Sequence, residues 1–308
     1  MYNIGYKLYM LTVAFLSHHS KHLVTKNIEK IVNYDLDISI LIIENSLDKS
    51  LKDDLLAKYS KNVEVYIPNE NLGFAKGMNK ALELSKDNFV LISPPDVDFS
   101  FDCLKDLISC IKNFKDFVLI APTYSDENQF KNYDTNIFSK KSEDIKTFKV
   151  LEKYTLKEVD WIDSSVIVNK DKAKNLKIMD EKFFLYFETM DMCLNFKREN
   201  KKMYVVENIK FDHIGGASHE KKYNFEANLS RNWHYNWSKF YYFKKNYSYL
   251  YAFKKSLPIL LKLIFKYFSN LFSNNKRGRD LIKAELNGMI SSIFLKESSF
   301  RPFSKKFD

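Results

Sequence analysis

Apolar positions in the first half of the chain follow two alternating periods. Short β-rich runs recur at 10–16 (MLTVAFL), 38–43 (ISILII), 63–67 (VEVYI), 89–93 (FVLIS) and 117–121 (FVLIA). Each is short and nearly continuous in apolar character, as expected of strands buried on both faces. Between them the period becomes helical. Val24, Ile28, Ile31 and Val32 form one stripe, Phe74, Met78, Ala81 and Leu82 a second, and Leu104, Leu107, Ile108 and Ile111 a third. Strand and helix in alternation predict an α/β fold built on a Rossmann-like, doubly wound, mostly parallel sheet. Ligands of such sheets bind beyond the carboxyl ends of the strands. Here those ends read SHHS (17–20), ENSLDKS (44–50), PNENLGFAKGMN (68–79) and PPDVDFS (94–100), all polar and all assigned to one rim.

Further along, residues 122–158 are polar with weak periodicity and predict an irregular or mobile stretch. A strand with a polar start is expected at 159–170 (VDWIDSSVIVNK). Residues 180–200 then read as an aromatic run leading into a helix, whose first turn carries Glu188 and Asp191 on one face. The tail, from RNWHYNW to LPILLKLIFKYFSNLF, interleaves aromatics with lysines at helical spacing and predicts a helical, basic, aromatic-rich extension.

Composition sharpens this picture. A chain of 308 residues, 45% of them apolar, with 7 Gly and 6 Pro, can bury a sizeable core and is not disordered. The cysteines, Cys103, Cys110 and Cys193, are odd in number and form no Cys-x-x-Cys pair, which argues for a reducing compartment and against a disulfide frame or structural zinc. Cys103 and Cys110 fall among the apolar positions of the third stripe and are assigned to helix packing. His18 and His19 would face opposite ways on a strand, so no zinc site is expected there. The opening stretch has only Lys7 before its apolar run and no small-residue cleavage site, and is read as a first strand, not a signal peptide. No run reaches the roughly 18 apolar residues of a spanning helix. Net charge is uneven: residues 1–230 hold 33 Lys and Arg against 35 Asp and Glu, whereas residues 231–308 hold 16 against 4. The basic tail points to an anionic surface such as a membrane, or to a helical subdomain that packs on the rest or forms a homo-oligomer contact.

The candidate chemistry begins at LISPPDVDFS (91–100), where Asp96 and Asp98 follow an apolar run. Such acids either cap the next helix or supply hard oxygen ligands for Mg²⁺ or Mn²⁺. Four other stretches stand in order around it: ENSLDKS, NENLGFAKGMNKAL, DEKFFLYFETMDMCLNFKR and FDHIGGAS. Together they resemble glycosyltransferase family 2, in its bacterial rhamnosyltransferase-like members, over roughly residues 8 to 240.

That resemblance implies a GT-A fold, with a nucleotide-sugar-dependent catalytic domain at 1–240 and a helical extension at 241–308. It implies an inverting, metal-dependent transferase acting from a nucleotide diphosphate sugar, dTDP-rhamnose or a UDP-hexose, onto a bacterial surface glycan or lipid-linked acceptor. The place implied is the cytoplasm, peripheral at the inner face of the membrane. Carried over by motif, Mn²⁺ or Mg²⁺ would be held by Asp96, Asp98 and His213. An alternative alignment on the family's Asn-Pro-Asp form keeps Asp96 and drops Asp98. Glu188 is the implied base, with Asp191 as rival base or orienting partner, since Thr189 replaces the family's second acid. Ser17, His18, Glu44, Asn71, Gly73, Gly77, Asn79, Asp96 and Asp163 are the nucleotide-sugar candidates, although Gly73 and Gly77 suit close packing as well. Trp161 could shelve an acceptor sugar or fill the core. Ser164 stands where the family often has Gly. Two rival readings remain: a non-catalytic scaffold, and a nucleic-acid binder working through its tail. The acidic strand ends oppose the second, and no nucleic-acid partner is expected.

Overall fold

The apolar runs and stripes become strands and helices close to their expected bounds. The structure, a computed structural model, describes residues 9–59, 62–125, 131–138, 146–163, 165–213, 220–271 and 275–302. In chain order its elements are β1 (Leu11–Ser17), α1 (Lys21–Val32), β2 (Ile38–Glu44), α2 (Lys49–Tyr59), β3 (Val63–Tyr66), α3 (Gly73–Leu84), β4 (Phe89–Ser93), β5 (Val97–Asp98), α4 (Phe101–Asn113), β6 (Leu119–Tyr124) and β7 (Tyr133–Asp134). There follow β8 (Thr147–Val150), β9 (Tyr154–Glu158), β10 (Trp161–Ile162), β11 (Val166–Asn169), α5 (Lys170–Ala173), α6 (Glu188–Arg198), β12 (Met203–His213), α7 (Asn224–Asn246), α8 (Tyr249–Asn270) and α9 (Lys276–Ile293). The chain divides into two compact units, one formed by Met1–Glu70, Gly77–Ile178 and Met192–His219, the other by Asn71–Lys76, Met179–Asp191 and Glu220–Asp308. Residue 240, the boundary expected from the sequence, lies inside α7.

The first unit is built on a mixed sheet in the order β3-β2-β1-β4-β11-β6-β12-β9-β8, with β5 paired to β12. β1 lies parallel between β2 and β4, in register from Leu11↔Ile38 to Ser17↔Glu44 on one side and from Thr12↔Val90 to Phe15↔Ser93 on the other. The order 3-2-1-4 reverses direction between β1 and β4, and in open sheets of this kind ligands bind beyond the carboxyl ends of the strands at such a point. All residues of β1, β4 and β6 are buried, which is why these strands read as unbroken apolar runs. The stripes of α1 and α4 face the sheet, and Cys103 and Cys110 are buried within them. Burial pushes both thiols up to about 12, so they pack and do not react.

One expectation fails. Within 122–158 the described residues are ordered as β7, β8 and β9, and the antiparallel β8–β9 hairpin extends the sheet beside β12. Tyr154 and Leu156 face the core while Thr155 and Lys157 alternate outward, so a period of two was present beneath a polar average. Residues 159–170 likewise split into β10, in a small ribbon with β7, and β11, which runs antiparallel between β4 and β6.

In the second unit α7 and α9 approach closely, and Gly288 explains how. A Cβ there would stand 2.1 Å from the Trp233 carbonyl oxygen, a contact no side chain tolerates. Trp233 Nε1 donates to Asn287 (2.7 Å) and Trp237 Nε1 to the Lys296 carbonyl (3.0 Å), so both indoles are satisfied inside the core. His234, also on α7, contacts the Phe300 carbonyl through Nε2 (2.9 Å) and Ser298 Oγ through Nδ1 (3.0 Å). Burial, reinforced by the Arg301 charge and opposed by the Phe300 bond, lowers its pKa to about 3. The unfolded imidazole takes up a proton below about 6.5, whereas the folded one stays neutral to about 3. Stability from this site is therefore full above pH 6.5 and falls by about 1.4 kcal/mol per unit as the pH drops towards 3. In a titration followed by NMR, His234 should keep its neutral resonance from pH 7 to pH 5; a midpoint near the ordinary value would refute the buried, neutral state.

Candidate active site

The acid-bearing loop after β4 is held from below by α1. Asn27, a buried polar residue on the apolar stripe of that helix, donates through Nδ2 to the carbonyls of Pro95 (2.8 Å) and Val97 (3.1 Å). Asp96 lies between them and is 3% exposed. β5 then pairs antiparallel with the end of β12, setting His213 opposite Val97 and Asp212 opposite Asp98. This register brings His213 Nε2 to 3.6 Å from Asp96 Oδ2, beyond hydrogen-bond reach. The imidazole stacks on Tyr124 at the end of β6, with ring centroids 5.0 Å apart and planes at 17°. Asp96 Oδ1 is buried with no hydrogen-bond partner among the described residues.

Asp98, the third of the expected ligands, is paired with α1. Its carboxylate receives Lys30 Nζ at 2.8 and 2.5 Å, and Lys26 stands 3.9 Å away. The reason is that α1 presents Lys26 and Lys30, four residues apart, to the β5 strand. Both Asp98 oxygens are therefore engaged by a cation, whereas Asp96 Oδ1 has no hydrogen-bond partner among the described residues. The rest of the late turn, Gly215, Gly216 and Ser218, and also Ser164, lie outside the described residues.

Whether a divalent ion fits can be judged from Asp96. A buried carboxylate oxygen without a donor is costly unless a cation or ligand completes it. Here that oxygen belongs to a hard ligand whose neighbour is an imidazole. Among the described residues no group of three or more His, Cys, Asp or Glu side chains is placed to hold an ion. Asp96 and His213 therefore suit an ion that takes its remaining ligands from phosphate and water, as Mg²⁺ and Mn²⁺ do.

The rim beside this loop is made by the ends of β1 and β2. Glu44, 1% exposed, accepts Ser17 Oγ at 2.5 Å on Oε2, and on Oε1 the backbone N of Ser46 at 2.8 Å together with its hydroxyl. Ser17 Oγ also lies 3.0 Å from Ser20 Oγ, which accepts the backbone N–H of His18 at 3.1 Å. Ser17, His18 and Glu44 are thus brought together in one network, with Glu44 turned inward to build the rim. Asn79 of α3 is buried. A Cβ on Gly77 would meet Leu16 at 3.4 Å and Asn45 at 3.5 Å, ordinary contacts, so packing does not require glycine there. Trp161 lies in the β7–β10 ribbon and is half-buried; Asp163 directly follows β10, and its backbone N–H donates to the Asn132 carbonyl at 2.9 Å.

In the second unit, Asn71 and Gly73 serve the backbone. Asn71 Oδ1 accepts the Gly73 N–H at 2.9 Å, and Gly73 has φ +69°. A Cβ at Gly73 would fall 2.4 Å from the Phe184 carbonyl oxygen, and that oxygen accepts the Phe74 N–H at 2.7 Å. Close approach to Phe184 thus accounts for this glycine, the packing alternative of the two expected.

Glu188, 5% exposed, opens α6 immediately after two non-glycine residues in the left-handed region, Tyr186 (φ 70°) and Phe187 (φ 66°). Each such residue costs about 1–3 kcal/mol and persists only where its surroundings compel it. The compulsion comes from α7. Ser238 Oγ donates to the Leu185 carbonyl at 2.8 Å, and the Phe187 ring packs on Tyr235 and Tyr242. Asp191 completes the clamp: 1% exposed, it accepts Lys245 Nζ (2.6 Å) and Asn246 Nδ2 (2.8 Å), one on each oxygen. Lys245 also meets Asp180 at 2.8 Å, and Tyr241 OH donates to Asp180 at 2.8 Å. Burial works to lower the Lys245 pKa, but its bonds to Asp180 and Asp191 prevail and raise it. Both oxygens of Asp191 are thus engaged by α7, an arrangement that suits the orienting role of the two expected for it.

Asn27, Tyr124 and Lys245 escaped the sequence reading. Asn27 left one signal, a polar side chain within the Val24–Ile28–Ile31 stripe; the other two left none, because their partners are remote in the chain.

Among solved structures, a mannosyltransferase from Pyrobaculum calidifontis, described in complex with GDP-Man and Mn²⁺, is similar over 94% of this chain and 89% of that one, at 9% identity and a TM-score of 0.55. GalNAc-T7, described with UDP, GalNAc and Mn²⁺, is similar over 78% of this chain and 51% of that one, at 12% identity and a TM-score of 0.52. At such identities the likeness is one of fold, here the GT-A fold. No curated protein matches the sequence. The sequence pattern described as "Glycosyl transferase family 2" matches residues 12–176, more than half of the chain, and the chain belongs to that family.

Proposed function

We propose that this glycosyltransferase moves a sugar, with inversion, from a nucleotide diphosphate sugar to a bacterial surface glycan or lipid-linked acceptor at the inner face of the cytoplasmic membrane. The observation that carries the reading is the buried Asp96 carboxylate with its unsatisfied oxygen, beside His213 in the loop after β4, next to where the strand order reverses. When bound there, Mn²⁺ or Mg²⁺ would supply the Lewis acid that neutralises a leaving diphosphate. The two solved structures of similar fold, described with GDP-Man or UDP and with Mn²⁺, support a nucleotide-sugar donor and a divalent ion. From the family resemblance alone dTDP-rhamnose is the first donor to test and UDP-hexoses the next.

In this reading Asp96 and His213 hold the ion and Asn27 holds Asp96. Ser17, His18 and Glu44 shape the rim that receives the nucleotide, and Trp161 and Asp163 remain candidates for the sugars. Glu188 takes the proton of the acceptor hydroxyl as that oxygen bonds to the anomeric carbon and the bond from that carbon to the diphosphate breaks. One displacement with one base inverts the centre.

The test is a thermal-shift series with UDP, dTDP, GDP and CMP and their sugar conjugates, with and without Mn²⁺. A ligand of the folded state raises its apparent stability. One nucleotide family should give a Mn²⁺-dependent shift that Asp96→Asn loses and Asp98→Asn keeps. A shift lost only in Asp98→Asn, or none with any nucleotide, would overturn the assignment.

A further inference from the structure

Helix α8 is the most apolar stretch of the tail, yet much of its apolar surface faces outward. Phe265 is 76% exposed, Leu250 60%, and Leu261 and Phe268 58% each; Leu257 and Ile264 are exposed too. At about 100° per residue these six positions fall within about 100–120° of arc, a single stripe along the helix. The opposite side carries Ala252, Ser256 and Leu263, the buried residues through which α8 packs on α7 and α9. The outward stripe is therefore not the packing face of this helix. Its charges are of one sign: Lys254, Lys255, Lys262 and Lys266 are exposed, and α8 contains no Asp or Glu.

We propose that this face of α8 docks on an anionic lipid bilayer, with the helix axis along the membrane plane. The apolar stripe would enter the acyl boundary while the lysines stay at the headgroups, their methylene stems covering apolar surface. Among the described residues no helix is long and apolar enough to cross a membrane, so α8 would lie on the surface. Charge decides against the other occupants. In a symmetric pair of copies, α8 would set four lysines against four lysines within tails that carry 16 basic and 4 acidic residues each. A nucleic acid would answer the lysines and leave the stripe in water. Of these three occupants the anionic bilayer alone satisfies both the charge and the apolar stripe. The proposal deepens the membrane part of the function proposed above, but its test needs neither donor nor acceptor, so either can fail alone.

The experiment is co-flotation of the full chain with vesicles of phosphatidylcholine alone and of phosphatidylcholine with 30 mol% phosphatidylglycerol. Binding should require the anionic lipid and weaken with salt. Replacing the four lysines by Gln should weaken it by about fivefold for each lysine. Phe265→Glu with Phe268→Glu should abolish flotation with the thermal transition unchanged, since both side chains are exposed. Equal binding to neutral vesicles, no flotation by the folded chain, or retained flotation in the Phe→Glu pair would each overturn the proposal. So would a concentration-dependent dimer in light scattering that the same pair dissolves.

Discussion

Glu188→Gln is expected to lower the rate of sugar transfer by about 10²–10⁴-fold, the usual contribution of a positioned general base, while the Mn²⁺-dependent nucleotide shift persists. The substitution keeps the shape of the side chain and removes only its capacity to accept a proton. The strained backbone just before it supports a functional role: two consecutive non-glycine residues in the left-handed region are held there by contacts from α7. A fold that needed only a helix start could use Gly or Asn at those positions without strain. The measurement is the initial transfer rate with the nucleotide sugar identified by thermal shift. A loss smaller than tenfold would remove Glu188 as the base, and parallel loss of nucleotide binding would assign it to ground-state contacts instead.

The largest effect on stability is expected at Lys245. Lys245→Met keeps most of the side-chain volume but leaves the Asp180 and Asp191 carboxylates without their shared cation, and Asp191 is 1% exposed. Breaking a buried pair by removing one partner costs about 3–5 kcal/mol, because the remaining charge stays desolvated. Two of the three tryptophans, Trp233 and Trp237, lie in the same helix, so urea unfolding followed by tryptophan fluorescence reports on this region. The midpoint should fall sharply, and a second substitution, Asp191→Asn, should restore part of the loss. An unchanged midpoint would mean that the clamp on the Glu188 turn does not depend on this ion cluster. The alternative, a mere surface pair, would contribute less than about 1 kcal/mol.

Much of this architecture was legible in the order of residues. Strand and helix periods are local properties, set by neighbours two, three or four positions apart, so β1, β2, β4 and the stripes of α1 and α4 could be read directly. The β8–β9 hairpin was harder to read: its period of two is local, but its polar outward residues mask it, and its place in the sheet comes from β12, far along the chain. Gly73 shows the same limit at a single position. Its neighbours suggest a phosphate-binding helix start, but its need to be glycine comes from the Phe184 carbonyl.

The site divides in the same way. Local sequence was enough to show that acids follow β4, that a glutamate opens α6, and that the tail is basic and aromatic. It could not assign those acids their partners, since a carboxylate's role depends on which cation or donor the folded chain brings to it. The register of β5 on β12 put His213 beside Asp96, α1 gave Lys30 to Asp98, and α7 gave Lys245 to Asp191. Three acids of similar appearance in sequence acquired three different partners, an imidazole, a lysine of α1 and a lysine of α7. Tertiary structure made that distinction because electrostatic partners are chosen across space, where the periodicity of the chain carries no information.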